Sequence, residues 1–459
     1  MISILKNKKF VLLLIICLLF VATGFKCGGP PEGLTPGKPD AVTLNYWKTW
    51  EASSDISGLI SQYKAMHPHI QINYRNFNYD TFEEELLNAL AKDRGPDIVS
   101  LHNTWLRKYY VDGFITQMPA TTTLDYTVQR GSIQKETFTE QRVSPTLTLK
   151  DIKALFPDVV YDNQVINGQV WGLPLSIDTL VLFYNSDLLN NAGIIYPPKD
   201  WNEFKNQVIK LTKLDERNNI IQSGAAIGTA TNIERAADIL SLLMMQNNAP
   251  MTDQFGTVMF NKVAPGDVVE FVPAIQALNF YTSFASPAKQ VYTWNERMQN
   301  SLQAFMSGET AFFFGYSYHI PLIEAQAQKL NFEVTEVPKG RINVNYANYW
   351  VETVMTKSTH QDEAWDFIIF MATNKKANKS YLTASRKPTA LLENIEEQST
   401  DLRLAAFANQ VLTAKSWYKG TNAKVFESTF NEMISQNLEG TLDTKKIIDL
   451  AVNKINYSQ

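Results

Sequence analysis

Between residues 41 and 101, the apolar positions follow the period of a strand in some stretches and the period of a helix in others. Residues 41–47 (AVTLNYW) and 70–75 (IQINYR) alternate apolar and polar side chains, which predicts two strands. Helical spacing runs from residue 57 to Pro68 and begins again at Tyr79, and a short apolar strand is predicted over 98–101. The order strand, helix, strand, helix, strand predicts an α/β fold with a largely parallel sheet.

The second of these helices has a clear beginning and a clear buried side. Asp80 is predicted to cap its N-terminus, and the acidic residues 83–85 occupy the favourable first turn. Leu86, Leu87 and Leu90 supply the apolar stripe.

The remainder of the chain continues the alternation of strands and helices. Further strands are predicted over 170–175, 180–185, 310–314 and 332–337. Further helices are predicted over 186–192, 201–214, 234–247, 267–284, 296–307, 361–374, 401–415 and 421–437. Residues 119–150 are rich in Thr, Gln and Ser and are predicted to form a surface insertion. The sequence shows no repeat of fixed period, which excludes solenoids and propellers.

The N-terminal segment has the pattern of an export signal. Three lysines precede the apolar run 10–22, so residues 1–26 are predicted to be a signal peptide. An uncleaved anchor is the alternative, although the uncharged run of 16 residues is shorter than the roughly 20 that a spanning helix needs. Residues 27–40, rich in Gly and Pro, are predicted to be a flexible tether. Cys27 resembles the lipidated cysteine of bacterial lipoproteins, with Lys26 where those proteins carry a small residue.

Composition and charge limit the classes of protein that fit the chain. Its 459 residues, 45% of them hydrophobic, suffice for two or three cores. Removal of residues 1–26 takes four lysines and no acidic residue from a chain of net charge −4, which leaves −8. No basic stripe is visible, so no nucleic-acid partner is expected. With two cysteines and five scattered histidines, neither a metal site nor a cofactor is expected.

Four segments resemble motifs of one protein family and keep their order along residues 41–395. They are KAMHPHIQINY with YDTFEEELLNALAKDRGPDIV, then NGQVWGLPLSIDTLVLFYNSDLLNNAGIIYPPKDWNEF, then AFMSGETAFFFGYSYHI, and last KSTHQDEAWDFIIFMATN. The second is the most specific, although Trp171 stands where the family has Tyr and Asp200 where it has Thr. The chain thus resembles the extracellular solute-binding proteins, family 1, of ABC importers, which are sugar-binding and similar to maltose-binding protein.

The resemblance implies a periplasmic-binding-protein-like fold of type II, with two α/β lobes joined by crossing hinge strands. Lobe 1 would comprise 40–176 with 352–395, and lobe 2 would comprise 177–351 with 396–459. It further implies a carbohydrate ligand in the cleft between the lobes and delivery of that ligand to the membrane-bound permease subunits. The protein would be a monomer held by a lipid anchor at the outer face of the cell membrane, or periplasmic.

Sugar recognition needs flat aromatic rings for the apolar faces of the sugar and polar groups for its hydroxyls. By their positions in the family motifs, eight residues are expected to face the ligand. They are Trp50, Glu51, Trp105, Asp178, Tyr316, Ser317, Tyr318 and Trp350. The ligand itself stays open at this point: a mono- or oligosaccharide, or a non-sugar such as glycerol phosphate.

Two other functions compete with solute binding. A secreted glycoside hydrolase would need a pair of carboxylates, for which Glu51 and Asp178 are candidates, but nothing in the sequence around them indicates a raised pKa. The motifs of Ser hydrolases, of P-loop NTPases and of zinc enzymes are absent from the sequence, so no catalysis is expected. An interaction lipoprotein that has kept the fold and lost the ligand is the other alternative.

Overall fold

The computed structural model describes residues 33–131, 135–264, 266 and 271–459. The predicted signal peptide 1–26, Cys27 and residues 28–32 of the tether lie outside the described residues. The chain divides into two compact units, a small one made of the residues up to Ala41 with Thr123–Ser144, and a large one made of Val42–Thr122 with Pro145–Gln459.

The strands of the described residues are short, and most belong to the large unit. They are β1 (Leu34–Pro36), β2 (Val42–Thr49), β3 (Ile70–Phe77), β4 (Ile98–His102), β5 (Ile115–Thr116), β6 (Thr121–Arg130), β7 (Glu136–Pro145), β8 (Val165–Ile166), β9 (Gln169–Val170), β10 (Leu173–Pro174), β11 (Asp178–Thr179), β12 (Val181–Asn185), β13 (Lys213–Leu214), β14 (Ile220–Ala225), β15 (Thr310–Gly315), β16 (Phe332–Thr335), β17 (Asn345–Asn348), β18 (Trp350–Met355) and β19 (Ala414–Lys415).

The α-helices follow most of the predicted segments, with shorter ends. They are α1 (Ser53–Met66), α2 (Tyr79–Ala91), α3 (Leu106–Val111), α4 (Leu149–Leu155), α5 (Asp158–Gln164), α6 (Ser186–Asn191), α7 (Trp201–Leu211), α8 (Ala236–Gln246), α9 (Pro273–Ser283), α10 (Ser301–Met306), α11 (His319–Gln326), α12 (Gln361–Thr373), α13 (Lys375–Ser385), α14 (Ile395–Gln398), α15 (Ala405–Gln410), α16 (Ala423–Glu439) and α17 (Thr444–Tyr457). Within the described ranges, no helix combines the length and the apolar character needed to cross a membrane.

The small unit is a three-stranded sheet in which β7 lies between β1 and β6. Strand β1 runs antiparallel to β7, with Leu34 opposite Glu140 and Pro36 opposite Phe138. Residues 34–36, expected in the flexible tether, are therefore paired backbone. The segment predicted as an insertion, 119–150, contains the two ten-residue strands β6 and β7, which its composition did not indicate.

The first sheet of the large unit has the strand order β10-β18-β4-β2-β3, with β5 beside β18. Strands β3 and β4 both run parallel to β2, which confirms the α/β pattern read from residues 41–101. The expectation of a largely parallel sheet is wrong, because β18 runs antiparallel to β4, β5 and β10. That strand comes from a distant part of the chain and enters the sheet from the opposite end.

The second sheet has the order β13-β14-β15-β12-β16, and its only parallel pair in the described residues is β14 with β15. Strand β15 is apolar on both faces because both faces are covered. Phe312 contacts Phe204 of α7 at a ring-centroid distance of 5.5 Å, and the next residue, Phe313, contacts Phe305 of α10 at 5.6 Å.

A third small sheet, β11-β17-β19, lies where the chain passes between the first two sheets. Asp178 of β11 pairs with Asn348 of β17, and β17 is separated from β18 only by Tyr349. One continuous segment, 345–355, therefore belongs to the third sheet and then to the first.

Several predicted helix details need correction. Asn78, not Asp80, is the N-cap of α2, because the Asn78 side chain accepts the Asp80 backbone N–H at 2.8 Å. The helix predicted over 401–415 is helical only over Ala405–Gln410, followed by a 3-10 turn and strand β19. The helix predicted over 267–284 is described from Pro273 to Ser283, and residues 267–270 lie outside the described part.

Candidate ligand-binding site

Aromatic residues follow three neighbouring strands of the first sheet at the point where each strand ends. Trp50 comes directly after β2, Tyr79 comes two residues after β3, and Trp105 comes three residues after β4. Since the three strands are parallel, their carboxyl ends share one edge of the sheet, which is where open α/β sheets bind ligands. Trp350 reaches the same edge, because it begins the antiparallel strand β18 opposite His102.

These rings continue into aromatic residues that follow β15 in the second sheet. We call the six rings Trp350, Trp105, Tyr79, Trp50, Tyr318 and Tyr316 the aromatic row. Neighbouring ring centroids along it are 5.7, 6.0, 5.3, 6.0 and 6.1 Å apart. In every pair after the first, the planes of the two neighbouring rings lie within 27° of parallel. The row therefore connects the loops of both sheets through an unbroken series of ring contacts.

Members of the row differ in how far a ligand can reach them. Trp50 is 57% exposed and Tyr318 is 36% exposed, while Tyr79 and Trp350 are half-buried. Trp105 and Tyr316 are buried. Tyr316 was expected to face the ligand, but it is buried and its hydroxyl donates a hydrogen bond to Asp238 at 2.7 Å. Its ring stacks on that of Tyr318, so in this structure it supports Tyr318.

A cluster of charged and polar groups lies beside the row, and the sequence did not point to it. Arg235 donates to both carboxylate oxygens of Asp238, at 2.8 and 2.9 Å, and to Glu427 at 3.0 Å. Burial alone would lower the pKa of the Arg235 guanidinium, but the two carboxylates raise it. Asn348 extends the cluster by donating to Asp238 at 3.3 Å, and it also contacts His102 Nε2 at 2.6 Å.

One signal in the sequence favours this cluster in retrospect. Asp238 lies in the segment 236–245, whose other residues are apolar except Ser241, and a buried carboxylate on such a helix needs a partner. Every residue of α8 is buried, including Asp238 itself. Tyr79, the other missed member of the site, was visible only as a helix-opening residue.

Asp178 and Ser317 lie together where β11 meets the loop after β15. The Asp178 carboxylate accepts the Ser317 backbone N–H at 3.0 Å and the Ser317 hydroxyl at 2.6 Å, and it also accepts the Thr179 N–H at 3.0 Å. Burial raises the pKa of Asp178 to about 6 against the effect of the Ser317 hydrogen bonds. The sequence around Asp178 did not indicate this raised pKa, and the carboxylate has a structural role because it holds the loop that carries Ser317.

Glu51 lies under the row rather than in it. Its side chain is 3% exposed and forms an ion pair with Lys387 at 2.5 Å, while Lys48 lies 3.8 Å away. Burial alone would raise the pKa of Glu51, but the two lysines hold it below its usual value. Its carboxylate is thus engaged by protein cations.

A wide open groove lies elsewhere in the large unit. It has a volume of about 1370 Å³ and is lined by α9, the end of α16 and the loop 285–296. None of the eight predicted site residues lines it. Its size alone gives no chemistry that would select a ligand.

Comparison with known proteins defines the class. Residues 58–397 match the family of bacterial extracellular solute-binding proteins, and the chain belongs to this family. This membership places the protein outside the cytoplasm.

Two curated relatives show what the chain is similar to. A probable ABC transporter-binding protein of Deinococcus radiodurans is 24% identical over 54% of this chain and 57% of its own length. The galactooligosaccharide-binding protein of Bacillus subtilis is 20% identical over 79% of this chain and 76% of its own length. The chain thus spans little more than half the length of the first.

Solved structures agree on the fold. The sugar-binding protein MalE of Xanthomonas citri has 17% identity and a TM-score of 0.70 over 91% of this chain and 97% of that chain. A cyclo/maltodextrin-binding protein solved with maltotetraose has 16% identity and a TM-score of 0.70 over 92% and 97%. The predicted type II periplasmic-binding-protein-like fold is confirmed.

Proposed function

We propose that the protein is the solute-binding component of an ABC importer and captures a carbohydrate on the aromatic row. The observation that carries this proposal is the juxtaposition of the row with the Arg235–Asp238–Glu427 cluster. Flat rings suit the apolar faces of a sugar, and charged groups suit its hydroxyls through charge-assisted hydrogen bonds. Relatives named for galactooligosaccharide and maltodextrin binding support the same ligand class.

We assign the first sheet to lobe 1 (40–176 with 352–395) and the second sheet to lobe 2 (177–351 with 396–459). The strand composition of the two sheets supports this division, because β2, β3 and β4 belong to one range and β12, β14 and β15 to the other. The row and the charged cluster then lie at the cleft, and the small sheet β11-β17-β19 lies at the crossings. The ligand would be delivered to the permease subunits in the membrane.

Catalysis is not part of this proposal. Glu51 is held by two lysines and Asp178 by the Ser317 loop, so each carboxylate already has protein partners. A hydrolase would need one of them free to protonate a leaving group and the other free to act on water or on the sugar.

Calorimetry with maltotetraose, galactooligosaccharides and mannotriose tests the function. We expect at least one to bind without being cleaved. Tyr79→Ala and Tyr318→Ala should weaken that binding by about 2–4 kcal/mol if the rings are anchors. Tyr196→Ala, which removes a ring outside the row, is the control; Tyr196 is 72% exposed, against 36% for Tyr318. Cleavage of the sugar, or equal binding by all four proteins, would contradict the proposal.

We also propose that Cys27 is lipidated and holds the protein at the outer face of the membrane. The support is the position of Cys27 between an apolar signal-like run and a Gly/Pro-rich segment. In Cys27→Ala, the protein should be exported but recovered in the soluble fraction after cell fractionation. Retention of this variant in the membrane fraction would indicate an uncleaved N-terminal anchor instead.

A further inference from the structure

Trp50 has a backbone conformation that its side chain disfavours. Its φ is +72°, and the Glu51 N–H donates to the Thr49 carbonyl at 2.9 Å. These two features define a γ-turn of the strained kind, with Trp50 at its centre. A bulky residue with positive φ is an outlier, and such strain persists only where the surrounding structure holds it in place.

Buried charges hold the residues on both sides of this turn. Before it, Lys48 is 2% exposed and donates to Glu352 at 2.5 Å and to Ser100 at 3.1 Å. After it, Glu51 accepts from Lys387 at 2.5 Å and from the Tyr381 hydroxyl at 2.9 Å. The backbone carbonyl of Glu51 is also fixed, because it accepts the Tyr74 hydroxyl at 2.7 Å.

Lys387 is itself held in position by the end of α13. Arg386 has φ +53°, which turns the chain back so that the Lys387 N–H donates to the Leu382 carbonyl at 3.1 Å. The Lys387 carbonyl accepts the Gln398 side chain at 3.0 Å. Two residues later, Thr389 forms a β-bridge with Ser176, at the first of the proposed lobe crossings.

We propose that Lys48, Glu51 and Lys387 form a charge clamp that keeps Trp50 in its strained turn and so presents the indole to the ligand. Glu51 and Lys387 are then positioning residues that act through Trp50, and not residues that touch sugar. Because Lys387 is close to a crossing segment, the clamp also ties the Trp50 turn to the hinge. The role of Trp50 toward sugar rests on the proposed function, whereas the clamp itself does not.

The test follows the Trp50 ring in the ligand-free protein. All nine tryptophans are replaced by 5-fluorotryptophan, and the ¹⁹F signal of Trp50 is assigned as the one lost in Trp50→Phe. Lys387→Met removes the cation and keeps most of the stem. We expect the Trp50 signal to shift and broaden more than any other.

Lys379→Met is the matched control, because Lys379 lies on α13 and pairs with Glu397 instead of Glu51. This variant should leave the Trp50 signal unmoved. If Lys387→Met does not fold, Tyr381→Phe tests the clamp instead, because it removes one hydrogen-bond donor to Glu51 and keeps the ring. We expect this variant to shift the Trp50 signal in the same way, but less. An unmoved Trp50 signal in the folded variants, or an equal shift with Lys379→Met, would overturn the clamp.

A double variant separates loss of the clamp from the effect of one unpaired buried charge. In Glu51→Gln/Lys387→Met the Glu51–Lys387 ion pair is absent and no unpaired charge remains in its place, so the Trp50 signal should stay displaced as in Lys387→Met. For maltotetraose, both variants should weaken binding by about tenfold. A return of the Trp50 signal to its parent position in the double variant would mean that the unpaired Glu51 carboxylate, and not loss of the clamp, moved the ring. If the parent protein binds no sugar, the proposed function is wrong. The ¹⁹F shifts of the ligand-free variants still test whether the clamp positions Trp50.

Discussion

Asp178 is an acidic residue whose ionised form is disfavoured by burial. Its pKa of about 6 in the folded protein lies above the value of 3.8 for a free aspartate. As pH rises from about 4 to about 6, the unfolded chain releases this proton before the folded protein does, so the contribution of Asp178 to stability falls. About one pH unit above that pKa, both states are ionised and the loss is complete.

Asp178→Asn should therefore gain stability relative to the parent as pH rises through this window. The measurement is the free energy of unfolding of both proteins in urea at several pH values between 3.5 and 7. Asp215→Asn is a control of opposite sign at the acid end of this range, because hydrogen bonds from Asn219 lower the pKa of Asp215 and its contribution to stability is lost as pH falls below about 4. A difference between Asp178→Asn and the parent that does not change with pH would contradict the raised pKa.

At Trp50, the strained turn makes a prediction about stability that is separate from binding. Glycine adopts positive φ freely, whereas alanine in the left-handed region is disfavoured by about 1–2 kcal/mol. Both Trp50→Gly and Trp50→Ala lose the same ring contacts. We expect Trp50→Gly to be the more stable of the two by about 1 kcal/mol in thermal or urea unfolding. Equal stability would mean that the turn relaxes once the indole is gone.

The residues of the site show how far a sequence can be read alone. Trp50, Trp105 and Trp350 could be named as ligand-facing from their positions in the family motifs, and the structure brings all three into the aromatic row. Their ligand contacts remain a prediction. Arg235 and Asp238 were missed because their cluster is completed by Glu427, almost 200 residues away along the chain. The periods of strands and helices do not reveal contacts between residues so far apart in sequence.

At the scale of elements, local patterns were good guides where the element is amphipathic and poor guides where tertiary contacts decide. The strands β2 and β3 were recognised from alternation, with ends extended by two residues in the structure. Residues 411–415 were predicted to be helical, but 411–413 form a 3-10 turn and 414–415 pair as β19 with β17, whose backbone supplies the hydrogen bonds. Helix α13 was not predicted, because most of its residues are polar.

The hairpin of β6 and β7 yields a prediction at the same scale. The described residues of its tip, between Gln129 and Thr137, are exposed or half-exposed. Replacing residues 129–137 with Asn-Gly, a favoured two-residue hairpin turn, keeps the buried Leu124 and Phe138. We expect maltotetraose affinity and the midpoint of thermal unfolding to stay close to those of the parent. A large loss of affinity would assign the tip a part in ligand capture.

For the whole molecule, the contacts across the proposed cleft define what must break when the lobes separate. Glu83 of α2 pairs with Lys424 of α16 at 2.8 Å, and Trp50 lies 6.0 Å from Tyr318. Lys424 is 80% exposed at its side chain, so this ion pair contributes at most about 1 kcal/mol and is weakened by salt. Such an energy is enough to change the ratio of open to closed forms about fivefold.

Lys424→Met should therefore raise the radius of gyration of the ligand-free protein in small-angle scattering at low salt. High salt should produce the same expansion in the parent and little further change in the variant, because the ion pair is already gone. Lys454→Met is the matched control, since Lys454 of α17 pairs with Glu432 of α16 inside one proposed lobe. Saturating maltotetraose should compact parent and variant alike, because a ligand that contacts both lobes favours the closed form by its difference in affinity. If the bound protein is no more compact than the free one, the two sheets do not move as separate lobes, and the ligand enters a cleft that is already formed.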